Sequence, residues 1–492
     1  MRGIAAEACK KLARPDLIEH RTFLDGTWIS RDKTLAVIDP ANGDHLIDVA
    51  ACALEDADAA VNAAQDAFAT WRDRLPVERG QVLRDWARLM RQHAQDLAVI
   101  MTAEQGKPLA EALGEIAYAA SFLDWFAAEG ERAYGETIPS HLPGSRLFVQ
   151  MQPLGVAVAI TPWNFPSAMI TRKAGAALAA GCTMIVKPAP ETPLSALALA
   201  KLAQEAGMPA GVFQVLTGEA APLAQRLLEN TSVRAFSFTG STEVGRILLT
   251  QSAATIKKAS LELGGHAPFI VFPDTDLASA VKGCIGAKFA TSGQDCLAAN
   301  RIYVQRDIYD GFVEAFASAT AKLRVGHGLE PNIDIGPMTR PSVAEKCRQQ
   351  IAQALSTGAR LVCGGANSQL GGNFVSPTVL ADVTDDMLIA REETFGPVAA
   401  ILPFDDEAEV IARANATEMG LAAYVYTSDL SRAMRLTDRL EYGMVAVNTP
   451  NFTGALIPFG GWKQSGLGRE GSRHGLCEYL EAKYVCFGNL AA

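Results

Sequence analysis

A cysteine and a glutamate of the types that perform covalent chemistry on a carbonyl group lie thirty-four residues apart in this chain. Cys296 ends the segment SGQDC (292–296), and Glu262 lies in the segment LELGG (261–265). A thiolate attacks a carbonyl carbon, and a nearby carboxylate accepts the proton that a thiol or a water molecule loses. The two residues therefore predict a nucleophile and a general base, provided that the fold brings them together.

The other cysteines and the histidines show no pattern of this kind. The nine cysteines are scattered without a CxxC pair, and the seven histidines show no HExxH pattern. Neither a disulfide framework nor a zinc site is indicated, and we expect no metal. A single cysteine is most often a small buried hydrophobic residue, and only Cys296 has neighbours that favour a chemical role.

Composition limits the class of protein. The 492 residues are 49% hydrophobic and 20% charged, typical of a folded soluble chain long enough for two or three domains. The net charge of -10, without a local cluster of Lys and Arg, argues against nucleic acid and membrane surfaces as partners. No apolar run approaches the roughly 20 residues of a membrane-spanning helix, and residues 1–15 lack the apolar core of a secretory signal. We therefore expect a cytoplasmic protein.

The middle of the chain alternates short apolar strands with helices, after a helical region from about 54 to 130. That region includes a predicted helix over 113–134, whose Phe122, Trp125 and Phe126 we expect in the core. Strands are predicted at 156–160, 183–186, 212–215 and 235–238, with helices near 168–180, 193–206 and 221–228. This alternation indicates an α/β fold, with a parallel sheet covered by helices that binds ligands at the carboxyl ends of its strands.

A second alternating set begins with a strand at 267–272 and runs to about 447. The chain closes with a predicted strand over 479–487. That strand is far in sequence from both sets, and we expect another subunit to supply its partner.

Three loops after predicted strands carry residues suited to a ligand. In FTGSTEVG (238–245), Gly240 and Ser241 open a helix whose free amides favour a phosphate, although a tight strand-to-helix turn explains the segment equally well. Lys187 can reach a ribose hydroxyl or a phosphate, or it is simply a solvated lysine. In TPWNFP (161–166), two prolines hold Asn164, whose amide is either an oxyanion donor or a helix cap.

Together these motifs resemble the aldehyde dehydrogenase superfamily. TPWNFP, the lysine loop, FTGSTEVG, LELGG, SGQDC, EETFGP (392–397) and PFGG (458–461) occur in its order over nearly the whole chain. Residues 169–173, 420–424 and 465–471 are most similar to the succinate-semialdehyde dehydrogenases.

The resemblance also implies a domain organisation. It implies a Rossmann-type dinucleotide-binding domain (1–138 and 158–264), an α/β catalytic domain (265–470) and a small β oligomerisation element (139–157 and 471–492). A homodimer or homotetramer is implied as well.

The resemblance gives the site residues their roles. Cys296 would attack the aldehyde, Asn164 and the Cys296 amide would hold the oxyanion, hydride would pass to NAD or NADP, and Glu262 would activate the water that hydrolyses the thioester. The implied cofactor-binding residues are Trp163, Lys187, Ala189, Pro190, Gly240, Ser241, Leu263, Glu393 and Phe395. Pro190 stands where many NAD-dependent members have a glutamate, and Glu191 follows it, so the choice between NAD and NADP stays open.

The implied substrate is a small anionic aldehyde bound by Arg172, Thr453 and Phe459. Ala290 replaces a second arginine of the succinate-semialdehyde dehydrogenases, so sulfolactaldehyde, glutaric semialdehyde and 2-oxoglutaric semialdehyde stand beside succinic semialdehyde as candidates. Arg172 in a structural ion pair is the alternative for that residue. A cysteine hydrolase without a cofactor and a catalytically inactive homologue are the alternatives for the whole chain.

Overall fold

Two open sheets, each with a parallel centre, organise the computed structural model, which describes residues 3–365 and 370–489. The outermost ends of the predicted domains, residues 1–2 and 490–492, lie outside the described residues. The predicted α/β class with parallel sheets is confirmed.

The first sheet has eight strands, and its five central strands are parallel. Antiparallel strands close both edges. In spatial order the strands are Thr27–Ile29, Thr22–Leu24, Phe213–Val215, Thr183–Lys187, Val156–Ile160, Val233–Thr239, Lys258–Glu262 and Gly466–Leu467.

The second sheet has seven strands, all parallel to their neighbours except at one edge. In spatial order they are Arg360–Cys363, Thr378–Ala381, Val398–Phe404, Ala299–Gln305, Ala267–Val271, Ala422–Tyr426 and Met444–Val447. Two short antiparallel pairs lie outside both sheets, Thr34–Ile38 with His45–Ala50 and Met419–Gly420 with Trp462–Lys463.

A small antiparallel sheet contains the last strand of the chain. Leu480–Phe487 pairs along its whole length with Arg146–Pro153, which also pairs with Glu136–Ile138. One partner of this strand is a segment of the same chain more than 300 residues earlier. The strand lies at the edge of the sheet, and pairing of its other edge with another subunit stays a prediction. The role of this sheet in oligomerisation stays a prediction.

The helices cover the faces of the two large sheets and make up most of residues 54–129. They span Ile4–Lys10, Leu54–Trp71, Pro76–Gln92, Ala94–Gln105, Leu109–Glu129, Ala168–Ala180, Pro193–Glu205, Ala220–Glu229, Thr242–Ser252, Leu277–Phe289, Tyr309–Thr320, Pro341–Ser356, Leu388–Arg391, Glu407–Asn415, Leu430–Arg439 and Ser472–Cys477. The helix predicted over 113–134 begins four residues earlier, after Pro108, and ends at Glu129, where a 3-10 turn at Gly130–Arg132 replaces it.

Alternation along the strands explains why the first sheet is buried on both faces. In Val156–Ile160, Ala157 and Ala159 belong to one hydrophobic cluster, whereas Val156, Val158 and Ile160 belong to another. Successive side chains of a strand point to opposite faces, so a fully apolar strand needs cover on both sides. The continuous apolar runs in the sequence are the direct signature of this burial.

The aromatic residues predicted for the core lie there. Phe122 and Phe126 are buried in the cluster on one face of the first sheet, and Trp125 packs against it partly buried. In the described part of the chain, no helix combines the length and apolar character required to cross a bilayer.

Candidate active site

A cavity of about 470 Å³ opens at the carboxyl ends of the central strands of the first sheet. All nine residues predicted to bind a cofactor line it, together with Asn164 and Cys296: Trp163, Lys187, Ala189, Pro190, Gly240, Ser241, Leu263, Glu393 and Phe395. The sequence spreads these residues over more than 230 positions, and the fold brings them to one site. The strand ends of a parallel sheet meet at one edge, so their loops converge there.

Cys296 follows a turn whose backbone is held in an uncommon conformation. Thr291, Ser292 and Gly293 have φ values of 50°, 58° and 74° in succession. A Cβ atom on Gly293 would lie 2.3 Å from the carbonyl oxygen of Gly396, and one on Gly265 would lie 2.1 Å from that of Cys296. Both glycines are therefore required by close backbone approach, which brings LELGG, SGQDC and the loop around Gly396 together.

The thiol of Cys296 is half-buried in a negatively charged environment. Burial raises its pKa well above the usual value, the charges of Asp295 and Glu393 raise it further, and only Arg172 among the larger influences lowers it. The resting thiol is therefore protonated, and attack on a carbonyl requires a base to remove its proton.

Asn164 links the first sheet to the cysteine loop. Its side-chain Nδ2 donates a hydrogen bond to the carbonyl oxygen of Gln294 at 3.0 Å, two residues before Cys296. The alternative of a helix cap is wrong, because no side chain caps the helix Ala168–Ala180. An amide has two N–H groups, so one stays available for a ligand.

A buried ion pair, not predicted from the sequence, holds the Asn164 loop in place. Lys107 Nζ lies 2.5 Å from Oε2 of Glu115 and donates to the carbonyl oxygen of Asn164 at 2.7 Å. The other oxygen of Glu115 accepts hydrogen bonds from the amides of Ser167 and Ala168 at 2.9 and 3.1 Å. Both charges are compensated, and the loop has a fixed orientation.

Glu262 is buried at the carboxyl end of its strand, with neither carboxylate oxygen hydrogen-bonded within the described residues. Burial raises its pKa well above the usual value, and the nearby charge of Glu470 raises it further. A Cβ atom on Gly460 would lie 2.9 Å from Oε1 of Glu262, so the PFGG segment stands directly against this carboxylate. An unsatisfied buried carboxylate of this kind is suited to bind and release a proton.

Arg172 lies in a buried cluster of charges with Lys173 and Glu470. Arg172 Nη1 is 3.4 Å from Oε2 of Glu470, and Lys173 Nζ contacts Oε1 of the same carboxylate. Arg172 also donates to the hydroxyl of Tyr118 at 2.8 Å and lies 4.2 Å from the ring centroid of Phe459. The ion pair considered as the alternative for Arg172 therefore exists, while its Nε has no hydrogen-bond partner within the described chain.

The other residues predicted to bind substrate differ in position. Phe459 is buried against Arg172. Thr453 is exposed, and no hydrogen bond of the described residues joins it to the site. Ala290 begins the 3-10 turn before the nucleophile and offers no charge there.

Lys187 is buried where it lines the cavity. It is 1% exposed, so the alternative of a solvated lysine is wrong, and burial lowers its pKa to about 8.

The rim of the cavity carries a second ion pair. Arg340 lines the cavity, and its Nη2 lies 2.6 Å from Oε1 of Glu191. The second oxygen of Glu191 is buried and has no hydrogen-bond partner among the residues described.

Glu393 and Phe395 line the same cavity as Cys296. Oε1 of Glu393 accepts a hydrogen bond from the amide of Gly265 at 3.0 Å, and burial raises the pKa of this carboxyl to about 7. Phe395 adopts a φ of 56°, which places its ring edge-on to Trp163 with 5.5 Å between the ring centroids.

Comparison with known proteins agrees with this geometry. The sequence profile of the aldehyde dehydrogenase family matches residues 28–485. The chain belongs to this family. The sequence of this aldehyde dehydrogenase is 53% identical to that of the succinate-semialdehyde dehydrogenase [NADP(+)] GabD of Escherichia coli, over 97% of this chain and 100% of that protein.

Other relatives of this aldehyde dehydrogenase have different names. A 3-sulfolactaldehyde dehydrogenase of Pseudomonas putida is 52% identical (98% of this chain, 99% of that protein). A non-phosphorylating aspartate-semialdehyde dehydrogenase of Halomonas elongata is 53% identical (97% of each). The crystal structure of an E. coli NADP-dependent enzyme has a TM-score of 0.96 and 53% identity, over 97% of this chain and 100% of that one.

Replacing Glu115 tests the importance of the Lys107–Glu115 pair. We expect Glu115→Gln to lower the apparent free energy of unfolding by about 3–5 kcal/mol, because a buried ammonium loses its partner. Denaturant unfolding followed by tryptophan fluorescence measures the change. Glu219→Gln is the matched control, since its pair with Lys33 is exposed, and it should leave the midpoint almost unchanged. Equal midpoint shifts in the two variants would contradict the prediction.

Proposed function

We propose that this aldehyde dehydrogenase oxidises a small anionic semialdehyde to the acid with NAD or NADP, and that succinic semialdehyde is the first candidate substrate. The main support is the position of Cys296, which lines the cavity of the predicted cofactor residues and whose pKa is influenced by the charges of the buried Arg172 and Glu262. The names of the three relatives support the class, because succinic semialdehyde, sulfolactaldehyde and aspartate semialdehyde all carry an anionic group. Glutaric and 2-oxoglutaric semialdehyde belong to the same class.

The residues of the cavity fit a nicotinamide dinucleotide. Ser241 and Gly240 stand at the start of the helix Thr242–Ser252, which suits a phosphate, and the buried Lys187 supplies a donor beside them. The carboxylate of Glu393, held by one backbone amide, suits ribose hydroxyls. When bound, the nicotinamide accepts the hydride that leaves the substrate carbon.

Around that transfer, the side chains supply acid–base and electrostatic catalysis. Glu262 takes the proton of the Cys296 thiol, and the sulfur attacks the aldehyde carbon to give a thiohemiacetal. The second N–H of Asn164 and the backbone amide of Cys296 donate hydrogen bonds to the oxyanion. Loss of hydride leaves a thioester on Cys296. Glu262 then takes a proton from water, whose oxygen attacks the thioester carbon and releases the acid and the thiol.

A homodimer or homotetramer is proposed as the working form. The small sheet ends in a strand whose Tyr484 and Phe487 are 56% and 54% exposed, which suits burial against a second copy.

The central experiment is absorbance at 340 nm with NAD and NADP and a panel of aldehydes. We expect reduced cofactor to form with anionic semialdehydes, Cys296→Ser to abolish it, and Glu262→Gln to slow turnover by more than a hundredfold, because thioester hydrolysis loses its base. Release of acid without any reduced cofactor would instead favour the cysteine hydrolase.

Arg172→Gln separates a substrate-binding role from a purely structural one. We expect kcat/KM for succinic semialdehyde to fall about ten- to a hundredfold further than kcat/KM for butanal, a neutral aldehyde of the same length. Any disturbance of Glu470 acts on both substrates and cancels in the ratio. An equal loss for both aldehydes would make Arg172 a structural residue only.

The Glu191–Arg340 pair provides a test of cofactor choice. A carboxylate repels the 2′-phosphate of NADP, and a guanidinium binds it. We expect Glu191→Gln to raise the NADP-to-NAD ratio of kcat/KM by roughly tenfold, and Arg340→Gln to lower it. Steady-state kinetics with both cofactors measures the ratio. Ratios that stay at the wild-type value in both variants would show that the pair does not contact the cofactor.

A further inference from the structure

The helix Leu109–Glu129 places a carboxylate against the turn that precedes Cys296. Both carboxylate oxygens of Glu111 accept a hydrogen bond from the amide of Thr291, at 3.1 Å for Oε1 and 2.9 Å for Oε2. The two residues are 180 positions apart in the chain, so this contact joins two distant segments. Glu111 has no part in the chemistry proposed above, and its contact is explained by what the turn requires.

The turn requires support because its backbone is strained. Thr291 and Ser292 have φ values of 50° and 58°, a left-handed conformation in which the Cβ atom of an ordinary residue crowds the backbone. Such residues persist only where their surroundings fix them. Glu111 holds the amide of Thr291, and Oγ of Ser292 accepts a hydrogen bond from the amide of Gly336 at 2.8 Å. Loss of the Glu111 contact therefore releases the first residue of the strained turn.

The next turn of the same helix holds the loop of Asn164. Glu115 lies four residues after Glu111, so the two side chains leave the same face of the helix. Oε1 of Glu115 accepts hydrogen bonds from the amides of residues 167–168 at 2.9 and 3.1 Å. The loop and the turn are also joined directly, because Nδ2 of Asn164 donates to the carbonyl oxygen of Gln294 at 3.0 Å. Helix, loop and turn thus form a closed ring of contacts.

We propose that Glu111 is a positioning residue that fixes the turn before Cys296, and thereby the distance between the Cys296 sulfur and the Asn164 amide. Attack on an aldehyde needs both groups at one carbonyl, the sulfur at its carbon and the amide at its oxygen. A misplacement of about 1 Å costs up to roughly a hundredfold in rate. This inference rests on the proposed function, in which Cys296 is the nucleophile and Asn164 an oxyanion donor.

Two substitutions of Glu111 separate its hydrogen bond from its volume. Glu111→Gln keeps an oxygen that accepts from the Thr291 amide, whereas Glu111→Met has a similar length and only a weakly accepting thioether. In Glu111→Met we expect kcat/KM for the best anionic semialdehyde to fall about ten- to a hundredfold, while KM for the cofactor stays within about twofold of wild type. Glu111→Gln should keep kcat/KM within about threefold of wild type. Steady-state absorbance at 340 nm measures these values.

Amide hydrogen exchange follows the turn itself and does not depend on activity. Exchange in residues 289–296 should be at least about tenfold faster in Glu111→Met and close to wild type in Glu111→Gln. Tyr309→Phe is the matched control, because the Tyr309 hydroxyl accepts a hydrogen bond from the amide of Asp382 at 2.7 Å, and Asp382 also has a left-handed φ, of 58°. This variant removes a comparable contact beside the second sheet, and it should change neither kcat/KM nor exchange in residues 289–296.

Three results would overturn the role of Glu111 and leave the proposed function intact. They are a wild-type kcat/KM in Glu111→Met, equal losses in Glu111→Met and Glu111→Gln, and a loss of the same size in Tyr309→Phe, which would make the effect one of general destabilisation. A wild-type enzyme that reduces neither cofactor with any anionic semialdehyde would reject the proposed function itself, and this inference with it.

Discussion

The carboxylate of Glu470 is the interaction on which the rest of the site depends. It is buried and contacts Arg172 and Lys173 of one helix. It also accepts a hydrogen bond from the hydroxyl of Ser237, on a central strand, at 3.3 Å. Two buried cations without it would be strongly unfavourable. The same charge acts on Glu262 and raises the pKa of that carboxyl. One side chain thus stabilises the helix against the sheet and adjusts the base.

Burial makes ionisation of the reactive groups of the site unfavourable. Burial raises the pKa values of Cys296, Glu262 and Glu393, the last to about 7. A protonated thiol is a weak nucleophile and a poor target for oxidants, and it becomes reactive only when a base removes its proton. Cys296 therefore stays an unreactive thiol in the cavity until a base removes its proton. The arrangement requires close approach of three loops, which the glycines at 265 and 293 permit.

Much of the fold and of the site can be predicted from the sequence. The features that cannot be predicted share a physical cause. Apolar runs such as residues 156–160 predict buried parallel strands, because burial on both faces leaves no polar position. The nine residues predicted to bind a cofactor were identified from their motifs, and the structure places all nine at one cavity. Lys107 with Glu115 and Glu191 with Arg340 are long-range charge pairs, and no local pattern indicates which two charges meet. For the Glu470 cluster one signal was available: Arg172 and Lys173 are the only charged residues of the helix Ala168–Ala180, and buried cations require a partner. The last strand was predicted correctly, whereas its register with residues 146–153 was not predicted, because register is a property of the folded chain.

The distance between Lys173 and Glu470 along the chain, 297 residues, has a consequence for synthesis. A ribosome releases the proposed nucleophile, the proposed base and the loops that line the cavity before it releases residue 470, and the strand that pairs with residues 146–153 comes later still. Domains begin to fold as they emerge, yet contacts of such long range form last. The nascent chain therefore contains the proposed catalytic residues before it can bring them together. Synthesis of residues 470–487 decides when the active site can assemble.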